Sequence, residues 1–355
     1  MLQNTKKNMN RLDLKKVSIG SNFVDGPWGG GNNFAIQLRN YLIEKGIVVI
    51  NHLNDKDIDL ILITEPRRYT KISSFTHIEV LKYIKFVNSN TLVVNRINEC
   101  DERKDTKNLN NFIINSSNVS DHTIFISNWL LNLFVNQGFE KKSYSVIRNG
   151  GDENIFYTHN KKINKKLSIV THHWGDNENK GKVIYEKMDE LLNNPEINAN
   201  FEFTYIGNLP KNSYFENIKV IKPLFGESLS GELRNHDVYL TGSINEPAGM
   251  HHIEGALCGL PILFIESGGI TEYCKDFGIS YKIENLEEKI YEMKNGLDFY
   301  KKKLQEYPFT GQKMCMNYYS LFLELLESKE RYYLQRRLPK IPMKQYRFLN
   351  KYFFI

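Results

Sequence analysis

The sequence predicts an α/β protein of two doubly wound, Rossmann-like domains facing one another across a cleft. Three observations carry that expectation. The chain has 355 residues, enough for two domains of about 150 each. Short apolar, β-branched runs alternate with longer helical stretches, the pattern of parallel strands covered by helices on both faces. The polar, lysine-rich segment 158–166 separates these runs into two series and reads as a linker.

In the first series the strand candidates are 17–20, 48–51, 60–63, 92–95, 123–127 and 143–147. In the second they are 167–171, 201–207, 218–221, 238–241, 262–265 and 279–281. The first strand runs into Gly26-Pro-Trp-Gly-Gly-Gly-Asn-Asn33 and then a helical segment, 34–42. Consecutive glycines before a helix let backbone come close to a ligand, and the helix N-terminus favours an anion. The loop therefore reads either as a contact for phosphate or substrate, or as a flexible turn. It is not a dinucleotide fingerprint, because the order is not GxGxxG and the second strand ends in Asn51-His52. It is not a Walker loop either, since no Gly-Lys-Ser/Thr follows.

In a doubly wound domain ligands sit beyond the carboxyl ends of the strands, and here each polar cluster follows a strand. After the fourth comes Asn95-Arg-Ile-Asn-Glu-Cys-Asp-Glu-Arg103, with Arg96, Glu99 and Asp101 as candidate acceptor contacts or a solvated loop. After the sixth comes Ile147-Arg-Asn-Gly-Gly-Asp152, a turn-rich exit suited to a domain junction. After the seventh comes Thr171-His-His-Trp-Gly-Asp-Asn-Glu-Asn-Lys-Gly181, with Lys180 near the start of a helix, where an ammonium and backbone N–H groups neutralise a diphosphate. His172 and His173 have no third ligand at sensible spacing, so no metal site is expected.

The most informative stretch is Asn245-Glu-Pro-Ala-Gly-Met-His-His-Ile-Glu254. A short helix is expected near 249–258, with Pro247 in its first turn and Gly259 as its cap. Glu246 would then lie on the entry loop and Glu254 one to two turns along. Two acids so placed accept hydrogen bonds from different hydroxyl-bearing parts of one ligand. Ser267-Gly-Gly-Ile-Thr271, after the next strand, adds backbone donors at Gly268 and Gly269.

Together these residues resemble a GT-B-fold retaining glycosyltransferase of family 4. The likeness rests on E-x7-E at Glu246 and Glu254, G-x-P at Gly259 to Pro261, and G-G-x-x-E at Gly268 to Glu272. The glycine-rich first loop, Asn149-Gly150 with Asp152 and Phe156, and Lys180-Gly181 support it. It spans most of residues 17–280. It implies a hexosyltransferase-like enzyme with an acceptor domain, 1–157, completed by a returning C-terminal segment, 312–355, and a nucleotide-sugar domain, 158–311. By the same resemblance Glu254 would hold the ribose hydroxyls and Glu246 the transferred sugar. Lys180 would contact the diphosphate, helped by backbone N–H groups of Gly30, Gly31, Gly249 and Met250. The nucleotide sugar would be a co-substrate, the acceptor a glycan, a lipid-linked glycan or another hydroxyl, and neither cofactor nor metal would be required. One departure stands out. The family carries an arginine five or six residues before the lysine, where this chain has Gly175 and Trp174; Arg148 or a protonated His173 is the expected substitute. That gap also supports the alternative of a catalytically silent nucleotide-sugar-binding protein.

Charge and cysteines exclude other classes. At 41% hydrophobic and 25% charged residues the chain has material for two cores. The net charge of +6 is concentrated at the ends: 329–355 holds eight Lys/Arg against one Glu, and 1–16 holds five against one Asp. The remaining body is mildly acidic, so no nucleic acid partner is expected. Cys100, Cys258, Cys274 and Cys315 show no paired spacing, the N-terminal residues lack an apolar signal core, and no apolar run approaches membrane-spanning length. A cytoplasmic, reducing setting is the expectation. An amphipathic helix is expected at 317–328. Beyond it, the basic segment 329–355 adds seven aromatic residues, a mixture that binds an anionic membrane surface peripherally or packs on the first domain.

Overall fold

Each apolar run becomes a strand. In this computed structural model, residues 14–336 and 338 are described, apart from 25, 27, 28, 68–70, 141, 142, 160–164 and 210–212. Much of the segment 158–166 and most of the basic tail beyond 336 therefore lie outside the described residues. The first six strands are β1 Lys16–Ile19, β2 Val48–Ile50, β3 Leu60–Ile63, β4 Leu92–Ile97, β5 His122–Phe125 and β6 Tyr144–Val146. The second six are β7 Leu167–His173, β8 Phe201–Gly207, β9 Lys219–Ile221, β10 Val238–Thr241, β11 Ile262–Ile265 and β12 Gly278–Tyr281. β3, β4, β5, β7 and β10 are buried at every position, which is why their sequences are largely apolar and lack the alternation of a half-exposed strand.

The strands form two six-stranded sheets, ordered β2-β1-β3-β4-β5-β6 and β12-β11-β10-β7-β8-β9, with parallel pairings throughout. The chain reverses direction across each sheet at one point, beside β1 and β3 in the first and between β7 and β10 in the second. The loops leaving those strands diverge and open a crevice, the site that doubly wound folds use for ligands.

The halves are joined by packing as well as by chain. Phe125, Leu130 and Phe134 of the first half share one apolar cluster with Tyr239, Ile253, Phe264 and Tyr273 of the second. The chain crosses between them twice, side by side, with Gly151 bridged to Thr310. Glu153 accepts from the N–H groups of Gly311 (2.9 Å) and Gln312 (3.1 Å), capping the helix Gly311–Glu327. That helix returns to the first sheet, where Met314, Tyr318, Phe322 and Leu325 pack with Val17, Phe34, Leu38 and Leu60. It begins six residues earlier than the amphipathic pattern suggested. The next helix, Lys329–Gln335, stays on the first half: Tyr332 and Tyr333 join the same core, and Arg336 ion-pairs with the buried Asp121. The start of the basic tail is thus packed against protein. Among the described residues no helix is long and apolar enough to cross a membrane.

Candidate active site

The loops after β7 and β10 meet at the reversal point of the second sheet. Asn245, a residue tolerant of left-handed backbone, takes φ +51 there and donates its N–H to Ser267 Oγ at 2.9 Å. This turn carries Glu246 inward until the residue is 4% exposed. One carboxylate oxygen meets Lys180 Nζ, and the other lies 3.0 Å from Arg103 Nε. Burial alone would raise the carboxyl pKa, but Arg103 and Lys180 outweigh it and hold the group far below the usual range, so Glu246 is ionised. Burial pulls the pKa of Lys180 down against the opposing pull of Glu246. Glu246 pushes that of Arg103 up.

Glu254 is held differently. His172, the sixth residue of β7, donates from Nε2 to Glu254 Oε2 at 2.8 Å. The Tyr239 hydroxyl accepts the His172 backbone N–H at 3.0 Å and meets Nδ1 at 3.2 Å, fixing the ring. Around this pair lie three further buried histidines. His251 meets Thr241 Oγ1 at 2.9 Å, and the His251 ring stands 4.8 Å from that of His173 and 5.0 Å from that of His252. Among the described residues no group of three or more His, Cys, Asp or Glu is placed to hold a metal ion.

The first half closes the crevice from the other side. The helix Gly30–Glu44 points its N-terminus, which has no side-chain cap, at the loop 242–250. A Cβ at Gly30 would stand 2.6 Å from Met250 Cγ, so only glycine allows this approach without moving Met250. Arg96 at the end of β4 is buried, stacks 3.9 Å over Phe34 and donates to Asn149 Oδ1 at 2.9 Å. Glu99 receives Arg103 at 2.9 Å and Lys104 at 3.3 Å. The cleft between the halves has a volume of about 700 Å³. It is lined by Gly30, Gly31, Arg96, Glu99, His173, Lys180, Glu246, Gly249, Met250 and Glu254, ten residues singled out from the sequence. A separate groove of about 910 Å³, between Lys182 and Tyr300 on the second half, contains neither carboxylate.

Four expected residues sit elsewhere. Asp101 accepts from the N–H groups of Leu109 (3.0 Å) and Asn110 (2.9 Å) and so caps the helix Leu109–Ser117. Arg148 pairs with Glu272 at 2.9 Å, outside the cleft. Gly268 (φ +66) and Gly269 press against the Glu246–Pro247 backbone instead of facing a ligand. A Cβ at 269 would lie 2.0 Å from Pro247 O, and the Gly269 N–H is already donated to Glu246 O at 2.8 Å. At His173 burial and then the neighbouring Lys180 push the pKa well down, which disfavours a protonated ring, and its Nε2 meets the Tyr185 hydroxyl at 2.5 Å. The short helix is His251–Leu257, so Pro247 precedes it and Glu254 lies in its first turn. The Pro247 carbonyl instead accepts from Ser127 Oγ of the first half at 2.6 Å.

Arg103 is the site residue that the sequence reading passed over. Glu99 and Arg103 are spaced i, i+4, which on a helical turn puts both on one face and is the signal that could have found it. Glu272 also links the two halves. Its carboxylate takes the N–H groups of Asn128 (3.1 Å) and Trp129 (2.8 Å), capping a first-half helix from the second half.

Two six-stranded parallel sheets with surrounding helices, meeting at their reversal points around one cleft, define a GT-B fold. No protein-family model and no curated protein sequence matches the chain. Solved structures do match. HepE from Anabaena, in complex with UDP-glucose, superposes with a TM-score of 0.65 at 14% identity, over 89% of this chain and 100% of that one. Sucrose-phosphate synthase from Thermosynechococcus elongatus gives 0.63 at 11% identity over 88% and 100%. A glycosyltransferase from Rickettsia africae gives 0.62 at 14% over 89% and 99%. At such identities the likeness is one of fold.

Proposed function

We propose that the protein is a retaining glycosyltransferase of the family 4 type, moving a hexose from a nucleotide sugar to a hydroxyl of a glycan, a lipid-linked glycan or a similar acceptor. The observation that carries this reading is the ionised, buried Glu246 gripped by two cations in the cleft, with Glu254 on the same loop and helix. In this reading Lys180 neutralises the diphosphate, Glu246 accepts hydroxyls of the transferred sugar and Glu254 those of the ribose. The uncapped helix at Gly30 and Gly31 adds N–H groups toward the phosphates. The acceptor would enter from the first-half side, near Arg96 and Glu99.

The sugar–phosphate bond breaks as the acceptor oxygen bonds to the anomeric carbon on the same face, and the departing phosphate oxygen takes the acceptor proton. Positioning and charge stabilisation then supply the rate, without a dedicated protein base or a metal. The setting proposed is cytoplasmic. A non-catalytic nucleotide-sugar binder drew its support from the missing arginine, and Arg103 weakens that support.

The test is a thermal-shift screen against UDP-, GDP- and ADP-sugars, followed by incubation with the responding donor without acceptor. The expected outcome is a raised Tm with one nucleotide class and slow release of free sugar. No shift with any class would sink the reading, and a shift without turnover would favour the silent binder.

A further inference from the structure

We infer that Arg103, carried by the first half, is the second cation of a diphosphate site whose first cation, Lys180, belongs to the second half. The site is then complete only when the two halves close. This rests on the nucleotide-sugar reading above. Among the described residues that line the cleft from the second half, Lys180 is the one Lys or Arg. At Gly175 there is open space where a side chain would stand, and Trp174 is exposed. Arg103 enters from the opposite side and reaches the same carboxylate that Lys180 holds.

The guanidinium is partly committed and partly open. Nη1 donates to Glu99 at 2.9 Å, while Nε stands 3.0 Å from Glu246 Oε1 as an ion pair and is buried without a hydrogen bond. About a quarter of the side chain, 25%, is exposed into the cleft. A guanidinium fork matches two oxygens of a phosphate, and a phosphate carries more charge than the single carboxylate now between the cations. The Glu246 carboxylate occupies the anion position. A diphosphate entering it takes both cations and leaves Glu246 free to accept sugar hydroxyls. The Asn179 side-chain amide, donating to Arg103 O at 3.2 Å, ties the arginine's backbone to the loop that carries Lys180. Each half thus contributes one cation to a single anion position.

The experiment is calorimetric titration of the full chain with UDP, GDP and ADP and with the matching nucleosides. The variants are Arg103→Ala, Arg103→Lys and Arg103→Ala/Gly175→Arg. Arg103→Ala should weaken the preferred diphosphate by about 10-fold or more, the worth of a charge-assisted contact, and leave the nucleoside within about twofold. Arg103→Lys, keeping charge without the fork, should fall between wild type and Arg103→Ala. An arginine at 175, placed in open space on the second half, should restore diphosphate affinity to the alanine variant. If wild type binds a diphosphate and Arg103→Ala binds it equally, or loses nucleoside affinity in proportion, the inference fails while the function stands. If wild type binds none of the three diphosphates, both fail.

Discussion

Glu246 and Glu254 lie on one short stretch of chain and are both buried, yet opposite means hold them. Glu246 sits between Lys180 and Arg103, one cation from each half of the molecule. Glu254 takes a single imidazole N–H from within its own half. The first arrangement is an ion cluster whose parts each need the others, because a buried charge left without its partner is costly. The second is a fixed acceptor with one oxygen to spare. Position on the loop therefore says less about a carboxylate's task than the charge brought to it from across the cleft.

This contrast can be broken by substitution. The largest effect expected is on stability: Glu246→Gln leaves two cations facing one another and should cost about 3–5 kcal/mol in urea unfolding, against about 1–2 kcal/mol for Glu254→Gln. Equal losses would erase the distinction. Next, Lys180→Ala should lower donor turnover by about 10²–10³-fold, the usual loss when a preorganised charge partner is removed. Glu254→Gln should weaken donor affinity by about 10-fold and leave turnover at saturation nearly intact. Steady-state kinetics with the donor found by thermal shift would separate kcat from KM.

A third prediction concerns acid. Burial lowers the pKa values of His173, His251 and His252, the last to about 3. The unfolded chain binds these protons near pH 6.5 and the folded one does not, so stability is full above pH 6.5 and falls as pH drops toward the folded values. His252 alone should cost about 2 kcal/mol by pH 5. Glu246, whose folded pKa is depressed, adds its own loss below its unfolded value of 4.5. Unfolding free energies at pH 7, 6 and 5 should show this slope, and His252→Gln should flatten it. A flat profile in wild type would mean that the histidine cluster finds proton acceptors on opening. The smallest effect is expected at Glu272→Ala, which removes the acceptor of the Asn128 and Trp129 N–H groups while Ser127 still caps the helix Asn128–Asn136, and should cost about 0.5–1 kcal/mol without changing donor affinity in proportion.

Much of the fold was legible because parallel strands advertise themselves: a run such as Leu60–Ile63 is buried on both faces and must be apolar along its length. The Glu246 and Glu254 pair and Lys180 were legible for a related reason, since polar residues leaving such strands have a crevice to face. Their partners were not. Asp101 was read as a cleft residue because its charge is visible in sequence, whereas the helix end it caps at Leu109 is set by how the loop folds back. Gly268 and Gly269 looked like ligand donors, but the space they leave is filled by the chain's own Pro247 carbonyl. Arg148, expected at the phosphate, is taken by Glu272, 124 residues away.

By itself, then, the sequence determined two six-strand series, the loops that end them and the acids those loops carry. Local patterns of burial and turn chemistry are written residue by residue. Only the tertiary structure decided which cation meets which carboxylate. Arg103 and Glu246 lie on segments that follow strands of different sheets, and their 3.0 Å approach depends on how the halves pack. Ser127 on Pro247 and Glu272 on the Asn128 helix hold that closure, through contacts that no spacing along the chain encodes.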